Sequence, residues 1–517
     1  MQVTSLSYNP YTSARWSNFK VKFEFIDTDA AEDATVTVTS EAAISNLSQT
    51  HNRTTEMASK LAALEKDYFL LDGSFELPDE LDNGEIGWWS NEISDVNGDL
   101  STAQVLIFAF TQDQSSVGFT IIFDDKANEY AIDFKIQVYD SVDTLINEDV
   151  VTENALNTYI SEMPIDGYRK VVVTFTKTSK PFRRVRVCEV VFGIIQTFDE
   201  NNTTNLNLLY EISPNAENLP SHELDITIDN SERKYNMINP NGIYKYLQQG
   251  QGLNVEVGVG ATKETIERVK MGRFYYTFSS AEDDCMTAKI VANDLFYTLG
   301  NSNCKIGVTG TWTVMEAVNA VITDSGLSIT TSIPTAIGSK TINKCIPKNA
   351  THREALRMIA QAAMSTCYFD KNDTLVFVEI TGSTVVDTLD NDNMYKPAKV
   401  VDLGRINKIE LTVKDEYSAT VSTYIATNKE TGETDKVKTF NNPLAYDGQN
   451  VADWLLAIAQ KRIKYQLQER GNPAREIGDT VQIFDAYNEN RNAIMTKQEF
   501  IYDGTLMANT EAIGGTI

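Results

Sequence analysis

The sequence predicts a mainly β, multidomain protein with a smaller α/β part. Its 517 residues correspond to about three to four domains as a first expectation. Runs of β-branched and aromatic residues with period-2 alternation recur along most of the chain, between stretches rich in Asp, Asn, Gly and Ser. Helical periodicity is confined to four short stretches, and two of these begin with a capping box.

The first predicted region, residues 1–66, combines strands with one helix. Phe19–Phe25 and Ala34–Thr39 alternate in the manner of strands. A helix is expected from about Thr54 to Lys66, because three apolar side chains share one face there: Met57, Leu61 and Leu64.

The second region, residues 67–195, has the pattern of a β-sandwich. Turn-forming stretches such as Asp95–Asp99 separate its apolar runs. These runs are Val105–Phe110, Val117–Phe123, Phe134–Tyr139, Val171–Thr176 and Val185–Phe192.

Three further domains are predicted, over 196–300, 301–385 and 386–517. The first is β, with alternation in Leu224–Asp229 and Leu253–Val257. The second is α/β, because capping boxes at Thr313 and Thr351 each precede an apolar helical stripe and a strand pair follows. The third is β with one helix, and its predicted elements are strands Ile406–Lys414 and Ala419–Thr427, a helix over about Asn450–Leu467, and strands Thr480–Phe484, Ile494–Tyr502 and Thr505–Thr510.

The charge balance excludes several functions. With 45 basic and 72 acidic residues, the net charge is −27, which argues against binding to duplex DNA or to anionic lipid. It indicates either simple solubility or a surface that nucleic acid passes without adhering. No apolar run reaches the roughly 20 residues of a membrane span, and the N-terminal stretch has no signal-peptide pattern, so we expect neither membrane insertion nor Sec-dependent secretion.

No metal, cofactor or catalytic site is expected. The five cysteines form no C-x-x-C pair and are interpreted as reduced, buried side chains, and the three histidines lie far apart in the sequence. Gly258–Gly260 with Lys263 does not match a Walker A loop. Asp95–Asp99 resembles the start of a calcium loop, but Leu106 stands where the bidentate Glu is required.

Trp88 and Trp89 are the candidate binding residues. Two of the five tryptophans stand together in a polar stretch, and paired aromatic rings on a loop can stack on the faces of sugars. The alternative is one indole in the core and one at the surface, since tryptophan is buried on average.

A set of segments over roughly residues 185–517 resembles the hub proteins of phage tail baseplates and tail tips. Their order along the chain carries the resemblance more than any single one does. The segments are Leu219–Asn230, Tyr235-Asn236, Asn239-Pro240, Tyr244–Gly250, Met271–Tyr276, Ala292–Leu295, Arg353–Ala363, Cys367–Leu375, Gly471–Ala474, Ile477–Val481, Thr496–Phe500 and Asp503-Gly504. The resemblance implies a multidomain hub of β-barrel-like domains.

Residues 67–195 look like a discoidin-like, or galactose-binding-like, jelly-roll sandwich inserted into that hub. The residues that carry this resemblance are Phe69–Gly73, Trp88-Trp89 and Arg183–Phe192. Sandwiches of this kind bind sugars in some families and act as spacers in others.

The hub resemblance implies a non-enzymatic homotrimer that closes the distal end of the tail tube. Two similar β domains per chain would let three chains meet a sixfold tube. The implied partners are the tail tube or distal tail protein, the tape measure protein and passing DNA that is not bound specifically. The implied location is the virion tail tip or baseplate of a phage or related contractile particle, assembled in the host cytoplasm, where unpaired thiols persist. The alternative function is a carbohydrate-binding adhesin that recognises a host-surface glycan; a cell-wall hydrolase is disfavoured, since no catalytic set stands out.

Overall fold

The computed structural model describes the chain except for residues 6–7, 14, 27, 52–64, 67–86, 125–126, 237, 240–246, 282–285, 307–309, 381, 383, 415–420, 485–486, 488 and 515–517. The predicted helix over 54–66 and the Phe69–Gly73 segment fall almost entirely outside the described residues. The chain folds into two compact units. The first comprises Met1–Lys22, Thr197–Tyr244 and Gln248–Ile517, and the second comprises Phe23–Gln196 with Lys245–Leu247.

The strands, in chain order, are β1 (Trp16–Ile26), β2 (Thr35–Val38), β3 (Trp88–Ile93), β4 (Asp99–Ser116), β5 (Phe119–Ile122), β6 (Ala131–Tyr139), β7 (Leu145–Val151), β8 (Thr158–Ser161), β9 (Ile165–Thr178), β10 (Arg184–Val187), β11 (Glu189–Val191), β12 (Gly193–Asp199), β13 (Thr203–Glu211), β14 (Glu223–Asp229), β15 (Gly252–Gly260), β16 (Glu267–Ser280), β17 (Thr287–Asn293), β18 (Thr311–Thr313), β19 (Thr330–Ser332), β20 (Thr341–Asn343), β21 (Thr366–Phe369), β22 (Thr374–Val378), β23 (Val385–Leu389), β24 (Lys399–Asp402), β25 (Lys408–Lys414), β26 (Val421–Thr427), β27 (Val437–Asn441), β28 (Ile463–Glu469), β29 (Thr480–Phe484), β30 (Asn490–Tyr502) and β31 (Leu506–Gly514).

The α-helices are α1 (Thr28–Asp33), α2 (Leu295–Gly300), α3 (Val314–Ser325), α4 (Thr335–Gly338), α5 (His352–Ala362) and α6 (Gly448–Ala459). Among the described residues, no helix is long and apolar enough to cross a membrane.

One large, mostly antiparallel sheet organises the first unit. Its strand order runs β12-β1-β15-β16-β17-β14-β13-β30-β31-β28-β24; β29 also pairs with β30, and β23 pairs with β29. The antiparallel pairing of β13 with β30, with Leu208 opposite Phe500, joins strands of the 196–300 region to strands near residue 500 in a single sheet. Both residues are fully buried, so alternation in each strand sends its apolar side chains into the core.

The earliest residues of the chain contact late ones in this unit. The Leu506 N–H donates to Ser17 Oγ (3.2 Å), and the Tyr502 hydroxyl donates to the Ser17 carbonyl (3.3 Å). The Phe19 ring packs edge-on against Tyr502, with the centroids 4.9 Å apart.

The predicted α/β part is confirmed. Thr313 and Thr351 cap α3 and α5, and each makes the full capping box, with Glu316 and Glu354 respectively. Gly326 ends α3 in the left-handed region (φ 71°), which glycine adopts without strain. The apolar stripes of both helices share one core with the β21–β22 hairpin.

The helix predicted over 450–467 is too long. It ends at Ala459, and β28 begins four residues later at Ile463 and pairs with β31. Ile463, Tyr465 and Leu467 are buried in alternation, so this stretch follows a period of 2 rather than 3.6.

The second unit is a β-sandwich. One sheet has the order β2-β4-β9-β6-β7; a second group consists of β11-β5-β8, and β10 pairs with β3. Its core is rich in aromatic side chains, among them Phe108, Phe119, Phe123, Phe134, Tyr168, Phe175 and Phe192. The sheet includes Thr35–Val38, upstream of the expected domain start at residue 67.

The mainly-β fold class is therefore confirmed. The described strands form open sheets without a closed barrel among them, so the barrel-like form that the resemblance implied is not found in this part of the chain. The division into domains at 66, 195, 300 and 385 stays a prediction.

Candidate functional site

Trp88 and Trp89, the predicted sugar-stacking pair, lie in β3 and are both buried. Their exposed fractions are 0% and 3%. The Trp88 indole N–H donates to the Ser40 carbonyl (2.9 Å), and the ring lies 5.8 Å from that of Phe175. Neither indole offers a face to solvent, and the alternative of one buried and one exposed ring does not hold either. Carbohydrate binding by these two residues stays a prediction, and their contacts are those of core residues.

Arg186 forms the centre of a buried charge network beside Trp89. Its guanidinium stacks on the Trp89 ring, with Cζ 3.9 Å from the centroid. Nη2 lies 2.5 Å from Glu65 Oε2, and Nη1 lies 3.2 Å from Asp124 Oδ2 and 2.8 Å from Glu129 Oε2.

Two further cations complete this network. Arg183 Nε bonds Glu129 Oε1 at 2.7 Å, and Lys180 Nζ lies 3.7 Å from the same oxygen. Three cations thus face three carboxylates, so the network is balanced in charge. Since buried charges are tolerated only when they are paired, we interpret it as a support of the sandwich.

A shallow pocket adjoins these arginines. Its volume is about 10 Å³, which is room for about one water molecule. Its lining includes Glu129, Thr178, Ser179 and Arg183–Arg186.

In the first unit, the Gly471–Ala474 segment of the hub resemblance lies at a junction of buried polar contacts. Asn472 Oδ1 accepts from the Tyr8 hydroxyl (3.1 Å), and its Nδ2 donates to Asp387 Oδ2 (3.0 Å). The Gln2 N–H donates to the Ala474 carbonyl (2.7 Å). This loop therefore holds the first residues of the chain against β23.

Arg475 and Lys371 anchor the same loop. The fully buried Arg475 pairs with Glu469, which is also fully buried. Lys371 Nζ donates to the carbonyls of Pro473 (2.6 Å) and Arg475 (2.5 Å). Burial lowers the pKa of Lys371 to about 8. Nothing in the sequence marked either residue, because a lysine in a polar turn ordinarily points into solvent.

The α/β part brings together Cys304, Asp324 and His352. One potential ligand atom from each lies within 4.8 Å of the others. His352 Nε2 is 3.0 Å from Asp324 Oδ2. The sequence interpretation excluded a metal site because no motif was present; the separations of 20 and 28 residues match none.

Two strands at sheet edges expose apolar side chains. Among the described strands, β24 pairs only with β28, and Val400 on it is 59% exposed. In the sandwich, β7 pairs only with β6, and Leu145, Ile146 and Val150 on it are exposed. Open, apolar edges are surfaces on which another chain can pair.

No family model matches the chain, and no curated protein matches it. Solved structures similar to it include the prophage MuSo2 43 kDa tail protein from Shewanella oneidensis, with 17% identity, 62% of this chain and 96% of that chain covered, and a TM-score of 0.44. The tail protein from Neisseria meningitidis MC58 has 13% identity, covers 61% of this chain and 93% of that chain, and has a TM-score of 0.44.

A third similar structure is the family 32 CBM from C. perfringens NanJ in complex with galactose, with 16% identity, 33% of this chain and 97% of that chain covered, and a TM-score of 0.21. The suspected class, phage tail proteins, is thus found among the similar structures, together with a carbohydrate-binding module. Similarity at these identities and TM-scores assigns no activity.

Proposed function

We propose that the chain is a structural, non-enzymatic hub of a phage tail baseplate or tail tip, which closes the distal end of the tail tube as a homotrimer. The observation that carries the proposal is the ordered set of hub-like segments, together with their places in the first unit. Leu219–Asn230 contains β14, Met271–Tyr276 lies in β16, and Thr496–Phe500 lies in β30. All three strands belong to the one large sheet.

The β13–β30 pairing supports a role in joining a threefold hub to a sixfold tail tube. It unites two groups of antiparallel strands from distant parts of the sequence in a single protomer. Three protomers would present six such groups to a sixfold tube. The proposed partners are accordingly a tail tube or distal tail protein and, within the bore, a tape measure protein.

The open edge of β24 supports self-association. A strand that pairs on one side only leaves a row of backbone donors and acceptors unused, and the exposed Val400 adds apolar area. A symmetric oligomer covers such an edge with a second copy.

The net charge of −27 supports a passive role toward DNA. A basic wall would neutralise DNA phosphates, and the release of their counterions would hold the DNA in place. An acidic wall repels the phosphates instead. The DNA would leave through the bore without specific binding. The location in this proposal is the tip of the virion tail, after assembly in the host cytoplasm.

The test is the native mass of the full-length protein. The hub proposal expects three times the chain mass of 57.7 kDa in light scattering or native mass spectrometry, and a threefold ring at the tail tip in cryo-EM of particles. A chain that remains monomeric at micromolar concentration and is also monomeric in the particle contradicts the proposal.

A second candidate function, carbohydrate binding by the sandwich, follows from its resemblance to discoidin-like modules. Since Trp88 and Trp89 are buried, a glycan would have to contact other residues of the second unit. Glycan-array binding by the full chain tests this function, and absence of signal at high protein concentration leaves the sandwich as a spacer.

A further inference from the structure

Three separate segments of the α/β part place a thiol, a carboxylate and an imidazole side by side. Cys304 lies in the loop after α2, Asp324 in the last turn of α3, and His352 at the first position of α5. Cys304 and His352 are each 2% exposed, whereas the Asp324 side chain is 22% exposed. The cluster is therefore closed on the protein side and open toward solvent on the aspartate side.

The separations suit a tetrahedral metal ion. Zinc binds nitrogen and oxygen at about 2.0–2.2 Å and thiolate at about 2.3 Å, which sets ligand atoms about 3.3–3.7 Å apart. Here Nε2 and Oδ2 are 3.0 Å apart, and the three ligand atoms of the cluster all lie within 4.8 Å of one another. A change of about 1 Å in side-chain position would bring all three into coordination.

Neighbouring groups orient two of the ligands. His352 Nδ1 lies 2.8 Å from the Ser302 hydroxyl oxygen and 3.0 Å from the Ser302 carbonyl, and Nε2 is directed toward the cluster. Both oxygens can accept a hydrogen carried on Nδ1, the tautomer that leaves Nε2 available to a metal ion. Asp324 Oδ2 accepts the Lys305 N–H (2.8 Å), which fixes the carboxylate. Such outer contacts are typical of metal-binding histidines and carboxylates.

We propose that Cys304 Sγ, Asp324 Oδ2 and His352 Nε2 bind one zinc ion, with water in the fourth position on the exposed side. The thiol proton passes to solvent as the sulfur–zinc bond forms, so no redox change is involved. A mixed thiolate, imidazole and carboxylate set favours zinc over the hard cations magnesium and calcium. The ion cross-links the end of α3, the start of α5 and the loop before β18.

The experiment is a cobalt and zinc titration of the full-length, chelator-treated protein. Cobalt serves as the spectroscopic probe, because a cobalt–thiolate bond gives a near-ultraviolet charge-transfer band and a tetrahedral site gives intense visible bands. We expect one equivalent to saturate both bands, zinc to displace cobalt, and zinc to raise the melting temperature.

Three variants assign the ligands. Cys304→Ser should remove the charge-transfer band and lower the affinity for zinc at least about 100-fold. Asp324→Asn should keep the band and lower the affinity for zinc about tenfold or more. Cys345→Ser is the matched control, because Cys345 is equally buried in the same core but is not one of the three grouped residues. It should bind both metals as the unaltered protein does.

The opposite results overturn the proposal. They are absence of a cobalt–thiolate band, persistence of that band in Cys304→Ser, or its loss in Cys345→Ser. If Cys304→Ser does not fold, Asp324→Asn decides the question, since its side chain reaches the surface and its remaining oxygen can still accept the Lys305 N–H. Unchanged zinc affinity in that variant then shows that the cluster is only a hydrogen-bonded pair beside a thiol.

Discussion

The guanidinium of Arg186 covers the indole ring of Trp89 from a distance of 3.9 Å. The same guanidinium pairs with Glu65, Asp124 and Glu129, so one side chain contacts both the Trp89 ring and three carboxylates. This contact explains why a tryptophan in a polar stretch of sequence is 3% exposed.

Replacement of Arg186 by Gln should destabilise the sandwich severely. The change removes the counter-charge that Arg186 supplies to the buried Glu65 and leaves Glu129 paired with Arg183; breaking a buried pair on one side costs about 3–5 kcal/mol. Arg169→Gln is the control, because its ion pair with Asp113 lies at the surface and should contribute little. Urea unfolding followed by circular dichroism measures both; equal stability of the two variants would contradict the assigned role.

Replacement of Trp89 by Ala should lower the free energy of unfolding by about 3–5 kcal/mol, as the loss of a buried aromatic ring does. Trp89→Phe should lose less, since a ring remains beneath Arg186. If the sandwich binds a glycan, array signal should follow the folded fraction in both variants. A folded Trp89→Ala protein with abolished glycan binding would instead assign this indole to the sugar site.

Asp373→Asn should stabilise the first unit at neutral pH. Burial raises the pKa of Asp373 to about 6, although the hydrogen bond from Tyr275 (2.6 Å) lowers it. Between about pH 4 and 6 the folded state therefore holds a proton that the unfolded state releases, so this group lowers stability as pH rises through that window.

The variant removes this dependence and keeps the turn, because asparagine tolerates the positive φ of 60° at this position. The expected gain is roughly 1–2 kcal/mol at pH 7, with little difference near pH 4. Urea midpoints of both proteins at the two pH values measure it. Asp392→Asn, at an exposed turn, is the control; a gain that is the same at both pH values would exclude the titration of Asp373 as its cause.

Val400→Asp should weaken the homotrimer. The substitution places a charge on the open edge of β24, where a second copy would pair. Val96→Asp is the matched control, since Val96 is 66% exposed in a turn of the sandwich. Sedimentation velocity across a concentration series should show dissociation of the first variant only. An unchanged trimer in Val400→Asp would place the interface elsewhere.

The inner face of the trimer should be net acidic and carry few lysines or arginines. An acidic wall repels DNA over a Debye length of about 8 Å at physiological salt, which keeps the polymer away from the wall. A cryo-EM structure of the tail tip would show which acidic and basic side chains line the bore. A neutral or basic bore, with the acidic residues on the periphery, would contradict this prediction. The net charge of −27 would then serve solubility alone.

Local signals in the sequence were the reliable ones. The capping boxes at Thr313 and Thr351 predicted the starts of α3 and α5 because all of their partners lie within three residues. The end of α6 was misplaced because its apolar stripe continues without a break into β28, and only the pairing with β31 distinguishes the two.

The features that could not be predicted from the sequence depend on contacts between residues far apart in the chain. The burial of Trp88 and Trp89 depends on Ser40 and on Arg186, far from them in the chain. The grouping of Cys304 with Asp324 and His352 depends on how α3 packs beside α5, which no spacing rule contains.

The contact between Ser17 and Tyr502 can form only when synthesis of the chain is nearly complete. The two residues are 485 positions apart, so at about 5–20 residues per second the ribosome needs roughly 25–100 s between them. All strands of the sandwich emerge within the first part of that interval. β1 can pair with β15 once Gly252–Gly260 has emerged, about halfway through the interval. The Phe19 ring, however, can pack against Tyr502 only at its end, so this apolar side chain lacks that partner until the last strands have been synthesised.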